Sequence, residues 1–397
     1  MSDVKIFASI VDDVTKKQVD TLAASEAYSG CKIRVMPDCH AGKGCTIGTV
    51  IQFKDRIVPN TVGVDIGCGM LVVSLGDVHV DLKRLDEVIN RFIPSGFNIH
   101  DAPVGLWDAN LDSLIAPLND KDYILRSIGT LGGGNHFIEL NEDEDGMKYL
   151  VIHSGSRNLG VQVCNYWKKR GIEKLTDNSD VRNALINQYL AEGRKSEIGE
   201  ALKRLQRPQI DEDLAYIEGD DYEGYLNDMR VCQDYAAHNR FMMADIILDN
   251  LGIESLDEFH TIHNYIDIEN HIIRKGAIAA PSGREVIIPM NMRDVSLICY
   301  GKGNDDWLCS APHGAGRVLS RSQAIKQLSV DEFKKSMEGI YTTSVCEGTL
   351  DESPMVYKPA EQIMEDIKDT VEIKHVIKPI YNFKAKTPET ERMLKSK

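Results

Sequence analysis

The sequence has no uncharged apolar run near the roughly 20 residues that a membrane-spanning helix needs. Residues Met1 to Ile10 carry Asp3 and Lys5 and no long apolar stretch, so no signal peptide is expected. Cys-x-x-Cys pairs are missing: nine cysteines lie scattered over 397 residues. That excludes a small secreted disulfide scaffold and a closed zinc site built on paired cysteines. There is no low-complexity tract and no obvious repeat. Nor is there a basic excess, with 46 Lys and Arg against 61 Asp and Glu, a net charge of −15. Taken whole, that balance argues against a polyanion partner. Standard nucleotide loops fail as well. Around Gly42-Lys43, Pro37 stands where a Walker loop needs its first glycine and Gly44 where it needs Ser or Thr. Gly314-Ala-Gly316 lacks the third glycine of a dinucleotide fingerprint, which falls on Leu319.

What is present is an ordinary globular composition, 42% hydrophobic and 27% charged, enough for a real core and against whole-chain disorder. Short β-branched runs cut by glycine fill residues 31–75: Lys32 to Met36, Thr46 to Ile51 and Leu71 to Leu75. Residues 81–93 have helical apolar spacing, and Tyr149 to His153 reads as a strand. Residues 158–252 are rich in Leu, Ala, Glu, Lys and Arg and read as helices interrupted near Pro208 and Gly219. Strands and glycine turns return over 260–313; a last helix near Pro359 to Lys368 leads into Val371 to Ile377. Strand-and-turn texture on both sides of the helical block predicts one α+β domain over 1–397. Its core is a compact mixture of β-sheets flanked by helices, with a helical insertion at 158–252. A soluble protein of a reducing cytoplasm is expected, most thiols being core residues.

Five segments set metal-ligand residue types beside glycine. They are Val64-Asp65-Ile-Gly-Cys68-Gly, Gly132-Gly-Gly-Asn135-His136-Phe137, Ile152-His153-Ser-Gly-Ser-Arg157, Ile262-His263-Asn264 and Pro312-His313-Gly314-Ala315-Gly316-Arg317. Glycine lets backbone approach a metal or phosphate closely. Imidazoles, a carboxylate and a thiolate suit Zn²⁺, Mn²⁺ or Fe²⁺. Asp65 and Cys68 fit one turn, and a thiolate there can bridge two ions. His313, followed by Arg317 and Arg321, reads either as a structural turn histidine or as a nucleophile for phosphorus. Charge is also uneven: residues 270–321 hold seven Lys or Arg against four Asp or Glu, a local net of +3. An acidic total therefore does not exclude a phosphate site.

The ordered series VGVDIGCGM, GGGNHFIEL, HSGSRNLG, IHN and HGAGR, preceded by MPDCHAGKG, resembles the RtcB family of RNA ligases from about Met36 to Ala385. The resemblance implies joining of RNA 3′-phosphate or 2′,3′-cyclic phosphate ends to 5′-hydroxyl ends with GTP and Mn²⁺, in tRNA splicing or RNA repair. It implies that His313 takes GMP covalently and that Cys68 bridges two Mn²⁺ ions. His153 and His263 would complete one ion, Asp65 and His136 the other. It places Asn135, Phe137, Glu139, Asn264, Pro289, Ser296, Gly314, Ala315, Gly316 and Lys384 around the guanine nucleotide. Arg157, Arg317 and Arg321 would contact RNA or triphosphate. The expected partners are broken tRNA or rRNA, with no membrane. Three departures stand out. Pro312 replaces the usual serine, Cys39 replaces an apolar residue, and Pro289-Met290-Asn291-Met292-Arg293 replaces Pro-Gly-Ser-Met-Gly. Alternatives are nucleotide capping of 3′-phosphate ends, repair of one specific RNA break, a catalytically quiet paralogue that binds RNA ends, and a metallohydrolase without GTP.

Overall fold

A computed structural model describes residues 2–105, 107 and 111–385. The rest of the 1–397 domain expectation lies outside the described residues. Two sheets dominate. The larger has seven strands in spatial order Glu285–Pro289, Ser296–Gly301, Val371–Phe383, Phe137–Glu142, Lys148–Ser154, Gly69–Gly76 and Asp257–Ile262, every neighbour antiparallel. The smaller runs Asp3–Ile6, Lys32–His40, Ile47–Gln52, Ile272–Lys275 and Asn264–Asp267. A short ribbon pairs Ala277–Ala279 with Ser310–Pro312. The β-branched runs fall on strands as their side-chain chemistry dictates. Their near-continuous burial shows sheets covered on both faces.

The helices start where the sequence supplies caps. Asp12 and Asp81 accept from backbone N–H groups at the first turns of Asp13–Ala24 and Leu82–Phe92. Serine capping boxes open Arg321–Gln327 and Val330–Ser336. The helix Asp220–Leu251 ends at Gly252, whose left-handed conformation at φ 68° suits glycine.

The helical block divides unevenly. Arg157–Leu175 and Asp220–Leu251 are core elements. Leu159, Val163 and Trp167 of the first pack with Tyr225, Met229 and Tyr235 of the second and with Ile33 and Ile51 of the smaller sheet. Met243 and Ile247, further along the second helix, pack on Leu71, Ile138 and Ile152 of the larger sheet. Among the described helical elements of the block, Ser179–Ala191, Lys195–Glu197, Ile198–Arg204 and Glu212–Leu214 bury nothing. The long helix is thus the wall between both sheets.

A candidate metal centre beside a histidine

Register gathers the ligand types. His136 precedes the strand starting at Phe137, and Cys68 precedes the strand starting at Gly69. His153 lies at the end of Lys148–Ser154, and His263 follows Ile262 at the end of its strand. Phe137 and Met70 both pair with His153, and Gly69 pairs with Ile262. Four adjacent strands thus deliver one ligand each at the same end. Asp65 comes from the turn before Cys68, and its carboxylate lies over Gly155. A Cβ at Gly155 would come within 2.1 Å of Asp65 Oδ1.

The donor atoms converge. Cys68 Sγ lies 3.2 Å from His153 Nε2 and 3.4 Å from His136 Nε2. His153 Nε2 and His263 Nε2 are 3.3 Å apart, and His136 Nε2 is 2.9 Å from Asp65 Oδ2. Two groups able to hold an ion emerge, Cys68–His153–His263 and Asp65–Cys68–His136, with Cys68 common to both. Burial, and then the neighbouring histidines, push the His153 imidazole well below its ordinary value. Burial, and then His313 and Arg240, do the same to His263. Both rings are therefore neutral and keep a lone pair for an ion. Their Nδ1 atoms are buried without partners among the described residues. Facing imidazole nitrogens and a thiol cannot all satisfy one another by hydrogen bonds, whereas a cation satisfies them together. Burial and then Asp65 hold the Cys68 thiol well above its usual range, so it ionises against nearby positive charge, which an ion supplies. For Asp65, burial is outweighed by His136, and the carboxyl lies below its ordinary value. His136 Nδ1 lies 2.8 Å from Leu131 O, which orients its ring with Nε2 toward the cluster. The donor set fits transition-metal ions.

His313 stands beside this cluster, its ring centroid 4.7 Å from that of His263. It follows the ribbon strand Ser310–Pro312, whose last residue, Pro312, pairs with Ala277. His313 Nδ1 is 2.6 Å from Asp38 Oδ2, and the His313 backbone N–H donates to the same oxygen at 3.1 Å. A carboxylate only accepts, so Nδ1 carries a proton, and Nε2 is the nitrogen that bears the lone pair in the neutral ring. Nε2 has no hydrogen-bond partner among the described residues. Asp38 lies where the strand Lys32–His40 departs from regular register. Gly316, at φ 75°, packs on Asp38; a Cβ there would meet Asp38 O at 2.0 Å.

A cavity of about 1220 Å³ opens over both features. It brings together Asp65, Cys68, His153, His263 and His313 with Asn135, Phe137, Glu139, Asn264, Pro289, Gly314, Ala315, Gly316, Arg317, Arg321 and Lys384. Burial pushes the Glu139 carboxyl up to about 7, against the opposing pull of Asn382 and Lys384. Three expected residues do not line the cavity. His136 is buried, with Nε2 turned to Asp65 Oδ2. Ser296 is fully buried beside Pro289, its backbone partner in the sheet. Arg157 turns inward, with Nη2 donating to Gly96 O at 2.7 Å and Nε to Thr130 Oγ1 at 3.2 Å. In the divergent turn, Asn291 Oδ1 accepts from the N–H groups of Arg293 and Asp294, and Arg293 Nε pairs with Asp294 at 2.7 Å. The extra cation is thus neutralised within the turn.

Residue types alone missed several participants. Asp38 is one, although its motif was visible. Lys358 is another: its buried Nζ donates to Pro37 O and Cys39 O, both at 2.8 Å, gripping the strand on either side of Asp38. Glu352 is a third. Arg321 at 3.0 Å, Arg317 at 3.2 Å and Lys384 at 3.3 Å surround it, and Tyr357 donates to it at 2.6 Å. Burial is outweighed there by the three cations, and the carboxyl lies far below its ordinary value. No sequence spacing signals these long-range pairs.

A family model described as tRNA-splicing ligase RtcB matches residues 18–118 and 117–385. The chain is 33% identical to the RNA-splicing ligase RtcB of Escherichia coli K12 over 88% of each chain. It is 26% identical to the tRNA-splicing ligase RtcB of Methanococcus maripaludis, over 93% of this chain and 90% of that one. Against the RNA-splicing ligase RtcB of Mycobacterium tuberculosis the identity is 27%, over 83% and 91%.

Proposed function

Because the chain belongs to the RtcB family of ligases, we propose that it joins broken RNA ends in tRNA splicing or RNA repair, using GTP and two Mn²⁺ ions. The ends are a 5′-hydroxyl and a 3′-phosphate, the latter present as such or opened from a 2′,3′-cyclic phosphate. Asp65 and His136 would hold one ion and His153 and His263 the other, with Cys68 shared. Bound there, the ions supply positive charge against the reacting phosphates.

His313 presents Nε2 to the α-phosphorus of GTP. A nitrogen–phosphorus bond forms, the bond to the bridging oxygen breaks, pyrophosphate leaves, and His313 carries GMP. Asp38 keeps the Nδ1 proton and steadies the charge that the ring acquires. His313 then gives its GMP to an oxygen of the RNA 3′-phosphate and regains its lone pair. The 5′-hydroxyl attacks the RNA 3′-phosphorus, its proton goes to a base, and GMP departs. A phosphate monoester is a poor electrophile, and capping it with GMP provides the leaving group.

Glu139 suits the guanine edge, since an ionised carboxylate accepts from N1 and N2. Asn135, Phe137, Asn264, Pro289, the turn Gly314-Ala315-Gly316 and Lys384 surround the nucleotide. Arg317 and Arg321 face the triphosphate or RNA. Ser296 supports Pro289 as its neighbour in the sheet, and Arg157 ties Gly96 to Thr130. A reducing cytoplasm suits nine cysteines that form no disulfide. No helix among the described residues is long and apolar enough to cross a membrane.

One observation carries the reading: a histidine with its Nδ1 held by a carboxylate stands against a two-group ligand cluster in a large cavity. The test is product mapping with an RNA whose 3′-terminal phosphate is labelled. Label retained in the ligated junction supports this route, and label released as phosphate contradicts it.

A further inference from the structure

The long helix Asp220–Leu251 carries two adjacent polar residues, Asn239 and Arg240, each 0% exposed. Neither is a ligand, and neither lines the cavity. A buried arginine without an acidic partner is expensive, and Arg240 has no ion pair among the described residues.

Their hydrogen bonds explain the placement. Arg240 Nη1 donates to Gly67 O at 2.9 Å and to Ser154 O at 2.8 Å. Gly67 precedes Cys68, and Ser154 follows His153. Asn239 Oδ1 accepts from Thr130 N at 3.1 Å. Its Nδ2 lies 3.2 Å from Thr130 O, 3.1 Å from Ser154 Oγ and 3.2 Å from Gly155 O. Ser154 Oγ donates to Leu131 O at 2.9 Å, the carbonyl that also orients His136. Gly67 N–H donates to Asn264 O at 2.7 Å, next to His263.

This pair therefore ties the ligand-bearing strand ends to one helix: directly beside Cys68 and His153, through Gly67 beside His263, and through Ser154 and Leu131 for His136. We propose that Asn239 and Arg240 are positioning residues of the metal centre, fixing the spacing of Cys68, His136, His153 and His263 before any ion arrives. A preformed ligand set binds without first ordering its loops, and outer groups that orient ligands are worth about 10- to 100-fold in metal affinity. The proposal rests on reading these ligands as a metal centre.

Cobalt(II) titration of the full chain, followed by its visible and near-ultraviolet thiolate bands, tests it. Asn239→Ala changes no charge. Arg240→Met removes a buried positive charge, which on Coulomb grounds alone favours a cation. Both variants are expected to keep wild-type circular dichroism in EDTA yet bind Co²⁺ about tenfold or more weakly, with altered bands. Arg240→Lys keeps a charged nitrogen for both carbonyls and is expected to recover most of the affinity. Folded Asn239→Ala and Arg240→Met proteins with wild-type affinity and bands would overturn the proposal. So would an Arg240→Lys loss equal to that of Arg240→Met. If both Asn239→Ala and Arg240→Met fail to fold, the pair belongs to the fold and the proposal falls. A wild-type protein that binds neither Co²⁺ nor Mn²⁺ instead removes the metal reading itself.

Discussion

Asp38 Oδ2 receives both the ring Nδ1–H and the backbone N–H of His313, at 2.6 and 3.1 Å. One carboxylate oxygen therefore fixes both the tautomer of the ring and the position of the residue that bears it. In serine hydrolases, changing the orienting aspartate to asparagine costs about 10⁴ in rate through the wrong tautomer. We expect Asp38→Asn to slow guanylate transfer to His313 by on the order of 10³-fold or more. GTP affinity should change little. Single-turnover labelling with a parallel binding measurement checks this, and near-normal labelling would show that Asp38 does not set the tautomer.

Sharing of Cys68 makes a distinct prediction about metal content. Cys68→Ala removes a donor from both groups, whereas His136→Ala touches only the Asp65 group. Elemental analysis after Mn²⁺ loading and desalting should show Cys68→Ala losing both ions and His136→Ala retaining about one. Equal retention in the two variants would argue against a shared thiolate.

Glu139 predicts a pH effect. Its carboxyl is raised to about 7, so it is largely protonated at pH 6 and ionised at pH 8. If the ionised form reads guanine, GTP affinity should rise roughly tenfold between pH 6 and 8. Glu139→Gln should bind more weakly and with a flat profile. The stability sign is opposite: the folded form binds more protons than the unfolded chain between the usual carboxylate value and about 7, so this group's contribution falls as pH rises through that window.

Glu352 works the other way. Its carboxyl is depressed by Lys384, Arg321 and Arg317. Its stabilisation is therefore present above the ordinary carboxylate value and lost as pH falls below it. Removing one partner of a buried ionic cluster leaves uncompensated charge, so Glu352→Ala should cost about 3 kcal/mol or more. Denaturant melts at pH 7 measure this; a loss under about 1 kcal/mol would mean that solvent takes over from Glu352.

Much of this architecture was legible in the residues. The runs Lys32 to Met36, Leu71 to Leu75 and Tyr149 to His153 are strands because β-branched residues fit a covered sheet. The ligand types announced themselves by standing beside glycine. Asn239 and Arg240 did not, because polar residues on a charge-rich helix look solvated until the helix is seen threading between two sheets. Asp38 depends on a partner 275 residues away, and the cations around Glu352 lie 31 to 35 residues away. Local patterns carry no trace of such pairings. Composition alone likewise does not separate the core helix Asp220–Leu251 from the exposed helix Ser179–Ala191.

The central claim is that His313 carries the guanylate. Incubation with GTP labelled at the α-phosphorus and Mn²⁺, followed by denaturing gel and acid treatment, tests it directly. The account predicts an acid-labile label on the wild-type chain that requires Mn²⁺ and disappears in His313→Ala. Full labelling of His313→Ala, or no label on a wild-type chain that nevertheless joins RNA ends, would contradict it.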